Sequence, residues 1–117
     1  MRAAKVAAVA LMLATSAIAV TARAGDDDPP EACFPTVGCV SERLLSQLEL
    51  VNLSCGDLWT VRNGIYASRR YCFKTRRGAE EFGTAYCRYE NEADVPLTET
   101  ERANVRLLRA VEQQRGC

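Results

Sequence analysis

Six cysteines constrain this chain more than any other feature of its sequence. All of them follow residue 32, and the chain contains no histidine. An even number of cysteines in a short chain is typical of a disulfide framework in an exported protein. Zinc is the competing explanation, but structural zinc sites use closely spaced Cys or His pairs, which are absent here. We therefore predict disulfides and no metal or other cofactor. The residues are Cys33, Cys39, Cys55, Cys72, Cys87 and Cys117.

The first 24 residues have the organisation of a secretory signal peptide. Arg2 and Lys5 precede an apolar run, and the run ends at Ala22-Arg23-Ala24, an A-x-A cleavage pattern. The run is shorter than a bilayer-spanning helix requires. We expect cleavage after Ala24, export to the periplasm or the cell exterior, and no membrane span in the mature chain.

The predicted mature chain consists of a short leader and one domain. Residues 25–32 are acidic and contain two prolines, so a disordered linker is expected there. Residues 33–117 can build a single domain with a modest core. Removal of the basic signal peptide leaves more acidic than basic residues. Nucleic acid is therefore not expected as a partner, and a monomer is expected.

Periodicity and capping residues predict a mainly α-helical fold, a small disulfide-stapled domain with irregular loops. A first helix is expected over about residues 41–50, and a short one from Thr75 to the stop at Gly83. Thr98 and Glu101 form a capping box for a last helix. The apolar side chains that repeat in the first helix are Leu44, Leu48 and Val51, with Leu45 alongside. Those expected in the last helix are Ala103, Leu107, Ala110 and Val111.

The stretch VRNGIYASRR, residues 61–70, has two structural interpretations. Asn63-Gly64 is a strong signal for a two-residue hairpin turn. However, Ser54 and Asp57 resemble a capping box, and a hairpin would place charged groups opposite apolar ones. The spacing of the apolar residues predicts a helix with Asn-Gly inside it. Its inward side chains would be Leu58, Val61 and Ile65.

The segment CGDLWTVRNGIYA, residues 55–67, resembles the central motif of the YARHG domain family. The aromatic residues of YCFKT (71–75) and FG (82–83) extend the resemblance, which covers residues 55–117. The resemblance implies a small exported bacterial domain that is helical over 58–66, and no established activity. Ser68-Arg69-Arg70 stand where the motif has Arg-His-Gly, so no role of the family's histidine applies to this chain.

Six cysteines can pair in many ways, and the sequence does not choose among them. Our working hypothesis is Cys33–Cys39, Cys55–Cys117 and Cys72–Cys87. The second pair would join the start of the motif helix to the end of the last helix if the two run antiparallel.

A basic and aromatic segment is the candidate binding site. Between residues 62 and 77 there are six cations and no acid, and aromatic residues lie among them. Guanidinium groups bind carboxylate or phosphate, and rings supply stacking surface. The competing structural interpretation pairs these cations with the acidic 90–101 segment, or Arg62 with Asp57. The candidate binding residues are Trp59, Arg62, Asn63, Tyr66, Arg69, Arg70, Tyr71, Lys74 and Arg76.

The absence of histidine and the predicted absence of free thiols exclude most classes of catalytic site. Without histidine there is no Ser-His-Asp triad and no Cys-His dyad, and paired cysteines offer no thiolate. We therefore expect a non-enzyme that has a binding or structural role in the cell envelope, with an anionic envelope component or a protein as its partner. The alternatives are a protein-interaction or inhibitor-like module and a hydrolase that depends on carboxylates.

Overall fold

A hairpin and four helices make up the part of the chain that a computed structural model describes, which is Ala3 and residues 28–117. The predicted signal peptide, Ala3 apart, and residues 25–27 of the predicted linker lie outside the described residues. The elements are β1 (Cys33–Phe34), β2 (Gly38–Cys39), α1 (Gln47–Leu50), α2 (Cys55–Ser68), α3 (Arg76–Phe82), a 3-10 turn (Glu92–Asp94) and α4 (Glu99–Gln114). The predicted mainly helical, disulfide-stapled fold is confirmed.

Helices α2 and α4 form the centre of the domain. They run antiparallel, because Cys55 at the start of α2 is bonded to Cys117, beyond the end of α4. Arg69 at the end of α2 reaches Glu101 at the start of α4. Burial of the facing apolar side chains is the main source of stability for such a pair. The core includes Leu58, Val61, Ile65, Val105, Leu108 and Val111.

Asn63-Gly64 lies inside α2, so the helical interpretation is confirmed and the hairpin alternative is wrong. The Ser54 hydroxyl accepts from the Asp57 N–H at 3.0 Å, but no return bond from the Asp57 side chain completes the box. Gly64 has a packing role, since a Cβ there would lie 2.6 Å from Cε1 of Phe34. The glycine lets the hairpin approach α2 closely.

The helix predicted over residues 41–50 is wrong in its start and in its inner face. α1 begins only at Gln47, where Ser46 and Glu49 form a capping box. Leu44 is 64% exposed and Leu48 81% exposed, and Val51 is exposed too. The buried side chains are Leu45 and Leu50.

Asn104 of α4 explains why residues 40–45 are not helical. Its side-chain amide donates to the carbonyls of Val40 (2.9 Å) and Arg43 (2.8 Å) and its oxygen accepts from the Leu45 N–H (2.8 Å). These backbone groups are satisfied by a distant side chain and need no helical partners.

The same polar contacts rotate α4 away from its predicted orientation. Glu101 and Asn104 are buried along with Val105, Leu108 and Val111. Of the predicted inner face only Val111 is buried, whereas Ala103 and Leu107 are half-buried and Ala110 is exposed. The prediction failed because it assumed an apolar face, and the inward face carries two polar residues that have partners.

Three disulfides close the framework, and they are the pairs hypothesised from the sequence: Cys33–Cys39, Cys55–Cys117 and Cys72–Cys87. The last pair spans the segment that contains α3. That helix has the predicted cap, with the Thr75 hydroxyl accepting from the Gly78 N–H, and the predicted stop at Gly83. Among the described residues, each helix is too short or too polar to cross a bilayer.

Candidate functional site

The structure brings five of the nine predicted binding residues together. They line a cavity of about 220 Å³ between α2 and the segment that leads into α3. We call it the aromatic cavity. Its lining includes Phe73, Thr75 and Glu92 in addition to the predicted residues. The predicted members are Trp59, Arg62, Asn63, Tyr71 and Lys74.

Aromatic rings form the wall of this cavity and continue beyond it. Phe82 stacks on Trp59, with ring centroids 5.9 Å apart, and on Phe73 at 5.1 Å. Tyr71 meets Phe73 edge-on at 4.9 Å. Pairs of this kind contribute about 1 kcal/mol each beyond simple burial. The rings therefore stabilise the domain and also present stacking surface at the cavity.

A cation from α3 covers part of this wall. The guanidinium of Arg77 lies 3.8 Å from the centroid of the Trp59 ring, the geometry of a cation–π contact. Arg77 was not among the predicted binding residues. It adds positive charge beside the aromatic cavity without using a carboxylate.

Lys74 is the cation of the aromatic cavity that has no carboxylate partner among the described residues. Arg62 donates to both carboxylate oxygens of Glu112, at 2.6 and 3.1 Å. Neither Asp57 nor the 90–101 segment is its partner, contrary to the structural alternative considered above. Arg62 therefore joins α2 to α4, and Lys74 remains available to an incoming anion.

The only acid lining the aromatic cavity is Glu92, and it is engaged by α4. Its carboxylate accepts from Arg109 at 3.1 Å. The pKa of Tyr71 lies above its usual value because of burial first and the nearby negative charge of Glu92 second. Tyr71 is therefore a neutral hydroxyl at physiological pH and can donate a hydrogen bond to an anion.

Arg69, which stands at the histidine position of the motif, is used within the fold. Its Nε lies 2.9 and 3.1 Å from the two oxygens of Glu101. The Glu101 side chain is fully buried and also accepts from the Thr98 N–H and the Ser41 hydroxyl. This is the one pair between the 62–77 cations and the 90–101 acids among the described ion pairs.

Arg70 occupies the glycine position of the motif and has a left-handed backbone, with φ of 68°. Its N–H donates to the Ala67 carbonyl at 3.1 Å, and the Tyr71 N–H donates to the Tyr66 carbonyl at 3.2 Å. These two bonds are the Schellman ending of a helix, where glycine is the usual residue. Arg70 lines a second cavity, of about 350 Å³, together with Arg69 and Arg88. We call it the arginine cavity.

The remaining two predicted residues, Tyr66 and Arg76, line neither the aromatic cavity nor the arginine cavity. Tyr66 is buried, and its ring meets that of Tyr71 edge-on at 5.8 Å. Arg76 is on α3 and pairs with Glu80 one turn away at 2.8 Å, with both side chains largely exposed. Exposed pairs of this kind contribute little to stability.

Sequence reasoning missed a row of arginines on α4. Arg102, Arg106 and Arg109 line a cavity of about 520 Å³ that Tyr66 also borders. Burial disfavours the charge on Arg109, but Tyr66 and Glu92 outweigh it and raise its pKa. The i, i+4, i+7 spacing was the available signal for this row.

Taken by its fold and its surface, this chain is a small disulfide-bearing helical domain that presents cations and aromatic rings around α2. A model of the YARHG domain family matches residues 36–113, two thirds of the chain. The chain belongs to the YARHG domain family. The match starts upstream of residue 55, where the motif resemblance began, and so includes β2 and α1.

Comparisons with curated proteins and with solved structures gave no significant match. The family is a small extracellular-type domain and is not known as a family of enzymes. The three disulfides and the family membership are consistent with an exported protein.

Proposed function

We propose that this chain is an exported, non-catalytic module that binds an acidic ligand at the aromatic cavity. It would act as a monomer in the periplasm or outside the cell, after removal of residues 1–24. The ligand would be an anionic component of the cell envelope or an acidic segment of a protein. The proposal assigns charge recognition to Lys74, hydrogen bonding to Asn63 and Tyr71, and stacking to Trp59.

The proposal rests on a difference between the two cations that line the aromatic cavity: Arg62 is paired with Glu112, and Lys74 is not paired with a described carboxylate. Lys74 has no carboxylate partner among the described residues, although it lies at a cavity walled by Trp59 and Tyr71. The acid at this cavity, Glu92, is engaged by Arg109. A net positive and aromatic recess favours an anion that carries a flat or apolar body.

The acids of the described chain favour binding over hydrolysis. A carboxylate-dependent hydrolase requires two acids that face one cleft. Glu101 and Glu112 instead accept from arginines of α2, and Glu49 caps α1. Their oxygens already serve the fold, which supports a non-catalytic role.

Retention of the disulfide-bonded chain on an anionic polysaccharide matrix tests the proposal. We expect binding at low salt and elution as salt rises, with Lys74→Ala eluting at clearly lower salt than the parent chain. Arg76→Ala is the matched control, since it removes the same charge from an exposed pair on α3. Absence of retention, or equal shifts for the two variants, would contradict a site at the aromatic cavity.

A protein-interaction role is the second candidate, and one observation favours it. Leu44, just before α1, and Leu48, within it, are large apolar side chains that lie exposed. Failure of every anionic matrix to retain the chain would favour this role over the proposal.

A further inference from the structure

Arg70 combines an unfavourable backbone with an unfavourable charge environment. A left-handed residue with a side chain is strained, because its Cβ crowds the backbone, and glycine is the residue that avoids this. The described part of the chain contains no other non-glycine residue at positive φ. The motif itself has glycine at this position. An arginine here therefore needs an explanation outside local backbone preference, and strained residues of this kind concentrate at functional sites.

The surroundings of Arg70 are cationic. The N–H of Arg88 donates to the Arg70 carbonyl at 2.7 Å, so the two side chains leave neighbouring points on the backbone. Both line the arginine cavity with Arg69. Arg69 is neutralised by Glu101, whereas Arg70 and Arg88 have no carboxylate partner among the described residues. Two arginines therefore line one cavity without a carboxylate partner among the described residues.

The neutral contacts of these two arginines leave donors unused. Arg70 reaches the carbonyl of Tyr86 through one nitrogen at 3.4 Å, and Arg88 lies 5.7 Å from the centroid of the Tyr89 ring. A guanidinium has five N–H donors, so most of them still face solvent or the cavity. The rest of the lining, Pro29, Ser68, Tyr89 and Pro96, supplies no acid.

We propose that Arg70 and Arg88 bind a phosphoryl group in the arginine cavity. The Arg69–Glu101 pair is the fixed wall against which the group sits. A phosphate ester offers several oxygens and a charge that matches two guanidinium groups better than a single carboxylate does. The proposal goes beyond the proposed function, because it places the phosphoryl group at a site distinct from the aromatic cavity.

Arg70→Gly is the decisive variant, because it removes the guanidinium and also the strain of a left-handed backbone at a residue with a side chain. The variant is expected to fold and to unfold at a higher temperature than the parent chain, so weaker binding cannot be attributed to misfolding. Arg88→Gln removes the second charge without changing the backbone preference. Arg106→Gln is the matched control, because Arg106 is exposed on α4 and has no ion pair among the described residues.

Two probes distinguish the possible sources of the phosphoryl group. Glycerol 3-phosphate, titrated by NMR or calorimetry, represents a free monoester, and phosphatidic acid vesicles, with phosphatidylcholine vesicles as reference, represent a monoester in a lipid headgroup. We expect one of these probes to bind, with affinity reduced about tenfold by Arg70→Gly and by Arg88→Gln and little changed by Arg106→Gln.

Affinities within about twofold of the parent chain for Arg70→Gly and Arg88→Gln would overturn the inference. So would an equal loss in Arg106→Gln, since net charge alone would then be responsible. If neither phosphate probe binds while Lys74→Ala still weakens retention on the polysaccharide matrix, the inference fails and the proposed function stands. If phosphate binding depends on Arg70 and Lys74→Ala has no effect on retention, the inference stands and the aromatic cavity fails.

Discussion

The α2–α4 interface and the cavities beside it use the same residue types in opposite ways. At the interface, Arg62 and Arg69 each meet a carboxylate of α4, and the acids are largely or wholly buried. At the cavities, Lys74, Arg70 and Arg88 form no ion pair with a carboxylate among the described residues. The charges at the interface and at the cavities therefore form two sets, one that joins helices and one without a carboxylate partner among the described residues.

The interface shows how position along α2 decides which set a charge belongs to. The links between the two helices occur in reverse order along α4: Cys55 to Cys117, Arg62 to Glu112, and Arg69 to Glu101. The links recur at intervals of seven residues along α2, which is about two turns and returns to the same helix face. Arg70, which follows Arg69 by one residue, lies off this face and has no carboxylate partner among the described residues.

Loss of the Cys55–Cys117 disulfide should have the largest effect on stability. It closes a loop of 62 residues, and a loop of that size corresponds to about 4 kcal/mol in the chain-entropy account. The double variant Cys55→Ser/Cys117→Ser should lower the free energy of unfolding by this amount, measured in urea. Removal of Cys33–Cys39, which spans only 6 residues, is the reference and should cost clearly less. Equal losses would mean that α2 and α4 do not depend on this link.

Arg62→Ala should have a smaller effect than loss of the disulfide, lowering the free energy of unfolding by about 2 kcal/mol. The Arg62 and Glu112 side chains are only 18% and 15% exposed, so truncation leaves a poorly solvated carboxylate without its partner. Arg76→Ala, whose pair is exposed and within one helix, should cost less than about 0.5 kcal/mol. Denaturant midpoints measured under identical conditions compare the two. A cost for Arg76→Ala as large as that for Arg62→Ala would erase the distinction between a buried pair that joins two helices and an exposed pair within one helix.

The smallest change in folding stability is expected at alkaline pH, where tyrosines ionise. The pKa of Tyr71 and that of Tyr86 are raised in the folded protein, in both cases chiefly by burial. Because the folded state holds these protons more tightly, the associated stability is complete below about pH 10 and declines as pH rises through the folded-state pKa values. Absorbance titration at alkaline pH should show late ionisation that Tyr71→Phe and Tyr86→Phe each reduce. Titration of all tyrosines together at the usual pKa would contradict this.

Local signals predicted the motif helix and the short α3 correctly. Ser54, Thr75 and Thr98 each cap the helix that follows, because a cap depends only on residues within one turn of it. The inclusion of Asn63-Gly64 in α2 followed from the same local reasoning. What the local pattern did not reveal was why Gly64 is there, since its neighbour Phe34 is thirty residues away in the chain.

The errors arose where a distant polar side chain replaced a local contact. Asn104 holds residues 40–45 in a non-helical path, although Leu44, Leu48 and Val51 have helical spacing. An inward-facing Asn104 cannot be anticipated from apolar periodicity, because the pattern treats polar residues as outward. The partner of Arg62 was missed for a related reason, since the choice among acids depends on which helices pack together.

The candidate site was predicted only in part. Composition drew attention to the 59–77 segment, and five of the nine predicted binding residues line one cavity. The segment alone could not show that Arg69 is taken by Glu101 or that Arg88 approaches Arg70 from another part of the chain. Both facts depend on tertiary packing and on the turn that ends α2.

The neighbouring residues Arg69 and Arg70 test most directly whether the charges divide into those that join helices and those without a carboxylate partner among the described residues. Arg69→Ala should lower the free energy of unfolding by about 3 kcal/mol, because it leaves the fully buried Glu101 carboxylate without its cation. Arg70→Gly should raise it by up to about 1 kcal/mol, because glycine suits the left-handed backbone. Urea denaturation of the two disulfide-intact variants beside the parent chain measures both. Shifts of opposite sign are the predicted result, and shifts of the same sign would contradict the division of this segment into structural and free charges.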